Sequence, residues 1–250
     1  MKAIIIGATS GIGRKMATIL AGKGWQLGLA GRRMEALEEI RRELGADNVK
    51  IAALDITKPE ATTALDSLIE SVGAPDLYFH VSGVGLQNRE LKEEIETNTV
   101  RTNCEGMVRM VDHFINYVRS HPESYGKERK AHVAVITSIA GNAGMGTAPS
   151  YSATKKMQQT YISALAQLAR MEKIPVQFTD IRPGFVDTPL LKSDKKYPMM
   201  MTVDQAGKHI WRALKKRQRV CTFDWRFRLL VFFWKLIPRP VWERLSWVKN

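Results

Sequence analysis

Residues 3–6 read Ala-Ile-Ile-Ile, and the run passes directly into Gly7-Ala8-Thr9-Ser10-Gly11-Ile12-Gly13. A helical pattern follows, with Met16, Ile19 and Leu20 at three- and four-residue steps. An apolar, β-branched run suits a buried parallel strand. Glycines permit a tight turn and let another group approach the backbone closely. A helix opening just behind the turn aims its first N–H groups at an anion. Strand, glycine-rich turn and helix in this order is the arrangement that cradles a pyrophosphate. Gly7, Thr9, Ser10, Gly11, Ile12 and Gly13 are therefore candidate cofactor-binding residues. Their spacing, G-x-x-x-G-x-G, departs from the commoner G-x-G-x-x-G.

The same alternation continues along the chain. Strand patterns fall at 25–30, 49–54, 77–81, 133–137 and 176–181, and helical patterns at 35–44, 61–72, 99–117, 152–171 and 202–216. Strands alternating with helices predict an α/β, single-domain Rossmann-type fold, a doubly wound parallel sheet with helices on both faces. A chain of 250 residues, 44% hydrophobic and 25% charged, is of the right size and composition for one such domain. Residues 1–201 are expected to form its nucleotide-binding catalytic part, with a lid at about 190–201. Residues 202–250 then form a C-terminal helix and a basic, Trp-rich tail rather than a second domain.

The second strand ends in Gly31-Arg32-Arg33. In a dinucleotide fold the group about twenty residues after the first glycines meets the adenosine ribose, and an acid there holds a 2′-hydroxyl. Arg32 and Arg33 instead offer guanidinium forks that suit a 2′-phosphate. NADP(H) is accordingly expected over NAD(H). Asp55, closing the third strand, suits either a hydrogen bond from an adenine amino group or a capping Asx turn.

Tyr151 and Lys155 are four residues apart, hence on one helix face. An ammonium beside a phenol favours the phenolate and draws its pKa down from about 10, which a general acid/base requires. Ser138, thirteen residues ahead at a strand end, can hold a carbonyl or alcohol oxygen against the phenol. Such Tyr/Lys pairs occur by chance on many helices, so the surroundings decide.

Those surroundings are specific. Gly7…Gly11-Ile12-Gly13, Asn103, Ser138 with Tyr151 and Lys155, and Pro183-Gly184-Phe185-Val186-Asp187-Thr188 occur in this order. Together they resemble the short-chain dehydrogenase/reductase family over about residues 2–190. The resemblance implies an oxidoreductase that exchanges hydride between a nicotinamide cofactor and a small-molecule carbonyl or alcohol. It implies that Tyr151 protonates the carbonyl oxygen, that Lys155 tunes the phenol and binds the nicotinamide ribose, and that Ser138 orients the substrate. By the same resemblance Asn103 holds a relay water, Asp55 meets the adenine, and Ser82 and Gly83 make room for the adenosine ribose. Val186 and Thr188 would position the carboxamide, and Pro183 and Gly184 would also line the cofactor. Pairing into a homodimer or homotetramer through the helices near 99–117 and 152–171 is also implied. Two positions depart from the family pattern: Ile6 stands where Thr is usual, and His80-Val81-Ser82-Gly83 replaces Asn-Asn-Ala-Gly. The different-class alternative is an NADP(H)-binding regulator or sensor without turnover, against which the complete Ser/Tyr/Lys/Asn set argues.

The formal charge of +13 is concentrated at one end. From residue 208 onward twelve Lys/Arg face only Asp224 and Glu243, and five of the six tryptophans lie there. The apolar centre of 225–238 falls short of the about 20 residues a bilayer span needs, yet apolar helix flanked by Arg and Trp is interfacial in composition. Three readings stay open: residues 222–250 attach to an anionic membrane surface, form an arm of a homo-oligomer, or cover a lipophilic substrate. Basic residues interleaved with a continuous apolar run do not make a solvated nucleic-acid groove, so no nucleic acid is expected. Met199, Met200 and Met201 suit a pliable lid after the Lys192–Tyr197 stretch. With Met145, they favour a lipophilic carbonyl. The five histidines show no metal-ligand spacing, and no metal is expected. Cys104 and Cys221 suggest no disulfide framework, and the N-terminal apolar run is too short for a secretory signal. A cytoplasmic protein is expected, peripheral at the inner face of a membrane under the first of the three tail readings.

Overall fold

A computed structural model describes residues 1–191 and 197–245; positions 192–196 of the expected lid and 246–250 of the tail lie outside the described residues. In chain order the elements are β1 (Lys2–Ile6), α1 (Gly11–Ala21), β2 (Gln26–Gly31), α2 (Met34–Leu44), β3 (Val49–Ala53), α3 (Ala61–Val72) and β4 (Leu77–His80). There follow α4 (Glu93–Val100), α5 (Met107–Ser120), β5 (Ala131–Ile136), α6 (Pro149–Met171) and β6 (Val176–Pro183). Last come α7 (Val203–Lys215), β7 (Val220–Phe223), α8 (Trp225–Leu236) and α9 (Arg239–Arg244).

Seven strands form one sheet in the order β3-β2-β1-β4-β5-β6-β7, and every pairing is parallel. Alternate side chains feed two cores. Ile4 and Ile6 of β1 pack with Tyr78, Val133 and Val135 against α3, α5 and α6. Ala3 and Ile5 pack with Phe79 and Ala134 against α1, α2 and α7. Each such isoleucine, fully buried, contributes about 1.5–3 kcal/mol. This is the doubly wound parallel sheet that the alternating pattern predicts.

Three local features differ from the sequence expectations. The helix expected from residue 99 begins at Glu93 and passes through a π-helical turn (Arg101–Gly106) into α5. Glu93, Glu94 and Glu96 suit the positive end of a helix dipole but show no apolar stripe to read. Helix α6 opens at Pro149, where a missing N–H costs nothing, so Tyr151 already lies inside it. Strand β7 was not legible: four residues behind a run of Lys, Arg and Gln carry too little pattern.

Candidate active site

The strand order reverses between β1 and β4, the place where open α/β sheets bind ligands beyond their strand ends. There Gly7 takes φ +93°, and its N–H and that of Ala8 donate to the Ala30 carbonyl at 2.8 and 3.0 Å. A Cβ on Gly7 would lie 2.8 Å from the Ser82 nitrogen, and one on Gly13 would overlap the Gly7 carbonyl. Gly11 faces the Thr188 methyl group, which would stand 3.1 Å from an added Cβ. Helix α1 begins after Ser10 with no side-chain cap and no acid in its first turn. Its leading N–H groups thus suit an anion, and the glycine turn fits a pyrophosphate. Ile12 packs against the core beneath the turn.

Arg33 Nη2 donates to both the Thr9 carbonyl and Oγ1, at 3.1 Å each, which holds its guanidinium across the glycine turn. Asp55 makes the Asx turn: Oδ1 accepts from Thr57 N at 3.0 Å and Thr57 Oγ1 at 2.8 Å. Burial pushes that carboxyl up, but the Thr57 hydrogen bonds and the charges of Arg32 and Lys58 outweigh it, leaving it below the usual range.

Ser138 follows β5 and opens a short 3₁₀ turn, its Oγ accepting from Ala140 N at 3.1 Å and its carbonyl from Gln159 Nε2 at 2.7 Å. The Tyr151 ring lies against Gly85, whose added Cβ would come within 2.7 Å of it. Lys155 Nζ stands 5.7 Å from the ring centroid and donates to the Ile136 carbonyl at 3.2 Å and to Gln158 Oε1 at 2.9 Å. Burial pushes the Tyr151 phenol above its ordinary value, with a Ser138 hydrogen bond pulling the other way. The expected downward shift is therefore reversed: Lys155 directs its N–H groups at Ile136 and Gln158, and desolvation dominates. Burial lowers the Lys155 ammonium to about 8, against the charges of Asp180 and Cys104 that favour protonation.

Asn103 sits in the π-helical turn with its side chain committed to protein. Its Oδ1 accepts from Val84 N at 2.9 Å, and Nδ2 donates to the Val84 carbonyl at 2.8 Å and Thr154 Oγ1 at 3.1 Å. Its main-chain carbonyl accepts from Gln158 Nε2 at 2.7 Å. It thus clamps the segment after β4, and its main chain receives Gln158 of α6. Gly83 lies between the two ends of the site: an added Cβ would be 3.2 Å from Asn103 Oδ1 and 3.6 Å from Lys155 Nζ. Ser82 N donates to the Ile6 carbonyl at 3.0 Å, beside the glycine turn.

Pro183 ends β6, and Gly184 lies directly under the Phe227 ring of α8. Val186 pairs with Met201; Asp187 N donates to the Met201 carbonyl at 2.9 Å and Met201 N to the Phe185 carbonyl at 3.0 Å. Met201 is thus a core residue, Met199 packs beside Phe227 and Val231, and Met200 is exposed. Phe227 and Val231 also touch Ile139, next to Ser138, and Trp242 Nε1 donates to the Gly144 carbonyl at 2.7 Å. A cavity of about 890 Å³ lies between the tail and this loop, lined by Asn142, Met145, Thr147, Trp234, Ile237 and Trp242 among others. It flanks Ser138 and Tyr151 rather than lying over them. No helix among the described residues is long and apolar enough to cross a membrane.

The sequence-predicted residues therefore gather at one end of the sheet in two linked groups. One comprises the glycine turn, Arg33, Ser82 and Thr188; the other comprises Ser138, Tyr151, Lys155 and Asn103. Sequence reasoning missed Gln158, Gln159 and Thr154. Spacing puts Gln158 and Gln159 on the helix face of Lys155, three and four residues on, but does not give their partners, and Thr154 lies outside that spacing.

The sequence model of the short chain dehydrogenase family matches residues 1–198. The chain belongs to that family. An uncharacterised oxidoreductase of Myxococcus xanthus is 27% identical over 247 residues, covering 96% of this chain and 94% of the relative. An alcohol dehydrogenase of the archaeon Thermococcus sibiricus, solved with 5-hydroxy-NADP, superposes with a TM-score of 0.74 at 26% identity, covering 89% of this chain and 95% of that one. A 3-ketoacyl-(acyl-carrier-protein) reductase of Brucella melitensis, solved with NADH, shares the fold with a TM-score of 0.77 at 24% identity, over 90% and 96% of the two chains. Solved structures of this fold thus hold either nicotinamide cofactor, and this chain is an oxidoreductase of the short chain dehydrogenase family.

Proposed function

We propose that this protein is an NADP(H)-dependent oxidoreductase acting on the carbonyl or secondary alcohol of a lipophilic small molecule, with Tyr151 as general acid/base. The observation that carries this reading is the meeting of Ser138, Tyr151 and Lys155 beside the glycine turn across Gly83. A nicotinamide bound there supplies or accepts the hydride. Tyr151 gives its phenolic proton to the new alkoxide oxygen, or takes it back from an alcohol. Ser138 hydrogen-bonds the same oxygen, and Lys155 holds positive charge near the phenolate as it forms. The test is NADPH consumption against a panel of apolar ketones and aldehydes. Oxidation of NADPH by at least one of them supports the reading; a protein that binds NADPH and reduces none is a cofactor-binding regulator instead.

Arg33, held over the glycine turn by Thr9, and Arg32 favour a 2′-phosphate. Charge-assisted hydrogen bonds are strong enough that Arg33→Ala should weaken NADPH binding about tenfold to a hundredfold. NADH binding should change little. Equal loss for both cofactors in a titration would remove the 2′-phosphate assignment.

The tail supports a further part of the reading. Its inner residues Phe227 and Val231 pack against Ile139 beside the site, while Phe232 and Phe233 stand 59% and 58% exposed beside Trp225, Leu229, Leu230 and Leu236. Arg226, Arg228 and Lys235 flank this apolar face, the composition of a segment resting on an anionic lipid surface. Deletion from residue 222 would cut β7, so the outer face alone is the better target. Phe232→Glu with Phe233→Glu should reduce co-sedimentation with anionic vesicles at least about tenfold without changing the fold. Undiminished co-sedimentation would rule the lipid surface out.

A further inference from the structure

The buried side of Lys155 ends on a glutamine. Gln158 is 0% exposed and uses both ends of its amide. Its Oε1 accepts from Lys155 Nζ at 2.9 Å, and its Nε2 donates to the Asn103 main-chain carbonyl at 2.7 Å. The orientation is unambiguous, because an ammonium only donates and a carbonyl only accepts. The turn that carries Asn103 is π-helical, and such turns break the regular i to i−4 bonding of a helix. Here the Asn103 carbonyl meets a side chain from α6.

We propose that Gln158 is a positioning residue that aims Lys155 at the reaction centre by tying its ammonium to the Asn103 carbonyl. The proposal rests on the reading of Tyr151 and Lys155 given above. An ammonium has three N–H donors. Ile136 and Gln158 take two of them, which leaves one direction, fixed by the other two, for the Tyr151 and cofactor side. A primary amide neither gains nor loses a proton in the working pH range, so the chain Lys155–Gln158–Asn103 holds geometry without conducting protons.

The ionisable groups facing Lys155 are Tyr151 on its own helix, Asp180 on β6, Cys104 in the π-helical turn and His80 on β4. Asp180 and Cys104 favour the ammonium while burial opposes it, bringing it to about 8. Removing the Gln158 acceptor leaves burial less opposed. The test is an NMR titration of the Lys155 Nζ in full-length protein without added cofactor, beside the pH profile of turnover. In Gln158→Leu the Lys155 midpoint should fall by about one pH unit, tenfold in proton affinity, with a matching shift in the pH profile. In Gln158→Glu, which adds a carboxylate, it should rise. A residue that only filled space would lower activity without moving that midpoint. Unmoved midpoints in a folded Gln158→Leu or, should that variant not fold, in Gln158→Glu overturn the proposal. If Tyr151→Phe turns over like the parent protein, the catalytic reading fails, and the Lys155 midpoint still judges Gln158.

Discussion

Tyr151→Phe should lower turnover by about a hundredfold to ten-thousandfold, the range spanned by loss of a positioned general acid, while cofactor affinity stays within about twofold. The substitution is nearly silent structurally. The ring keeps its contact with Gly85 and its place beside Lys155 Nζ; only the hydroxyl near Ser138 is removed. The Lys155 anchors at Ile136 and Gln158 do not involve the phenol. The direction of the Tyr151 shift adds a pH signature. A phenol held above its ordinary value is protonated at neutral pH, the form that donates to a carbonyl oxygen. Reduction should therefore be nearly flat around neutrality, and alcohol oxidation, which needs the phenolate, should climb with pH. Steady-state rates in both directions, with fluorescence titration of NADPH, check this. A Tyr151→Phe variant at the parental rate would end the assignment of Tyr151.

The fold was legible because its signals are periodic and local. Residues 3–13 alone encode strand, turn and helix, and the placement of Gly7 and Gly13 is dictated by contacts that a side chain would block. Tyr151 and Lys155 share a helix face through spacing alone, so that pair could be found as well. What stayed hidden depends on contacts far apart in sequence. Gln158 becomes interesting only when α6 is laid against the π-helical turn, which no spacing along α6 announces. The phenol's pKa direction was misjudged for a related reason. Spacing puts an ammonium near the ring, but burial and the other partners of Lys155 are properties of the packed molecule. For the tail, composition left three readings open, and only packing separates the inward Phe227 and Val231 from the exposed Phe232 and Phe233.

Acid should weaken the fold well before carboxylates protonate. His80, at the end of β4, and His132, on β5, are buried and neutral. His80 Nδ1 stands 3.3 Å from the Tyr78 hydroxyl, and Nε2 has no hydrogen-bond partner among the described residues. Burial, with help from the charge of Lys155, takes His80 down to about 3. Burial, with help from Arg217, takes His132 down to about 4, and its Nε2 lies 2.7 Å from Thr179 Oγ1. Both values lie below the unfolded value of about 6.5, so between these limits the unfolded chain binds more protons. Stability is therefore complete above about pH 6.5 and falls as pH drops, by about 1.4 kcal/mol per unit for each histidine. At pH 4.5 the two together cost on the order of 5 kcal/mol, comparable to the whole stability of many domains. His209, lowered by burial and Arg212, acts in the same direction. Asp55 and Glu96 sit below their ordinary values of 3.8 and 4.5, so their contributions are lost only at lower pH. Urea midpoints should hold steady from pH 8 to about 6.5 and then decline. The double variant His80→Gln, His132→Gln should flatten that decline whatever it costs at pH 8. A parent midpoint unchanged at pH 4.5, or a double variant with the same slope, would show that these imidazoles are not what acid attacks.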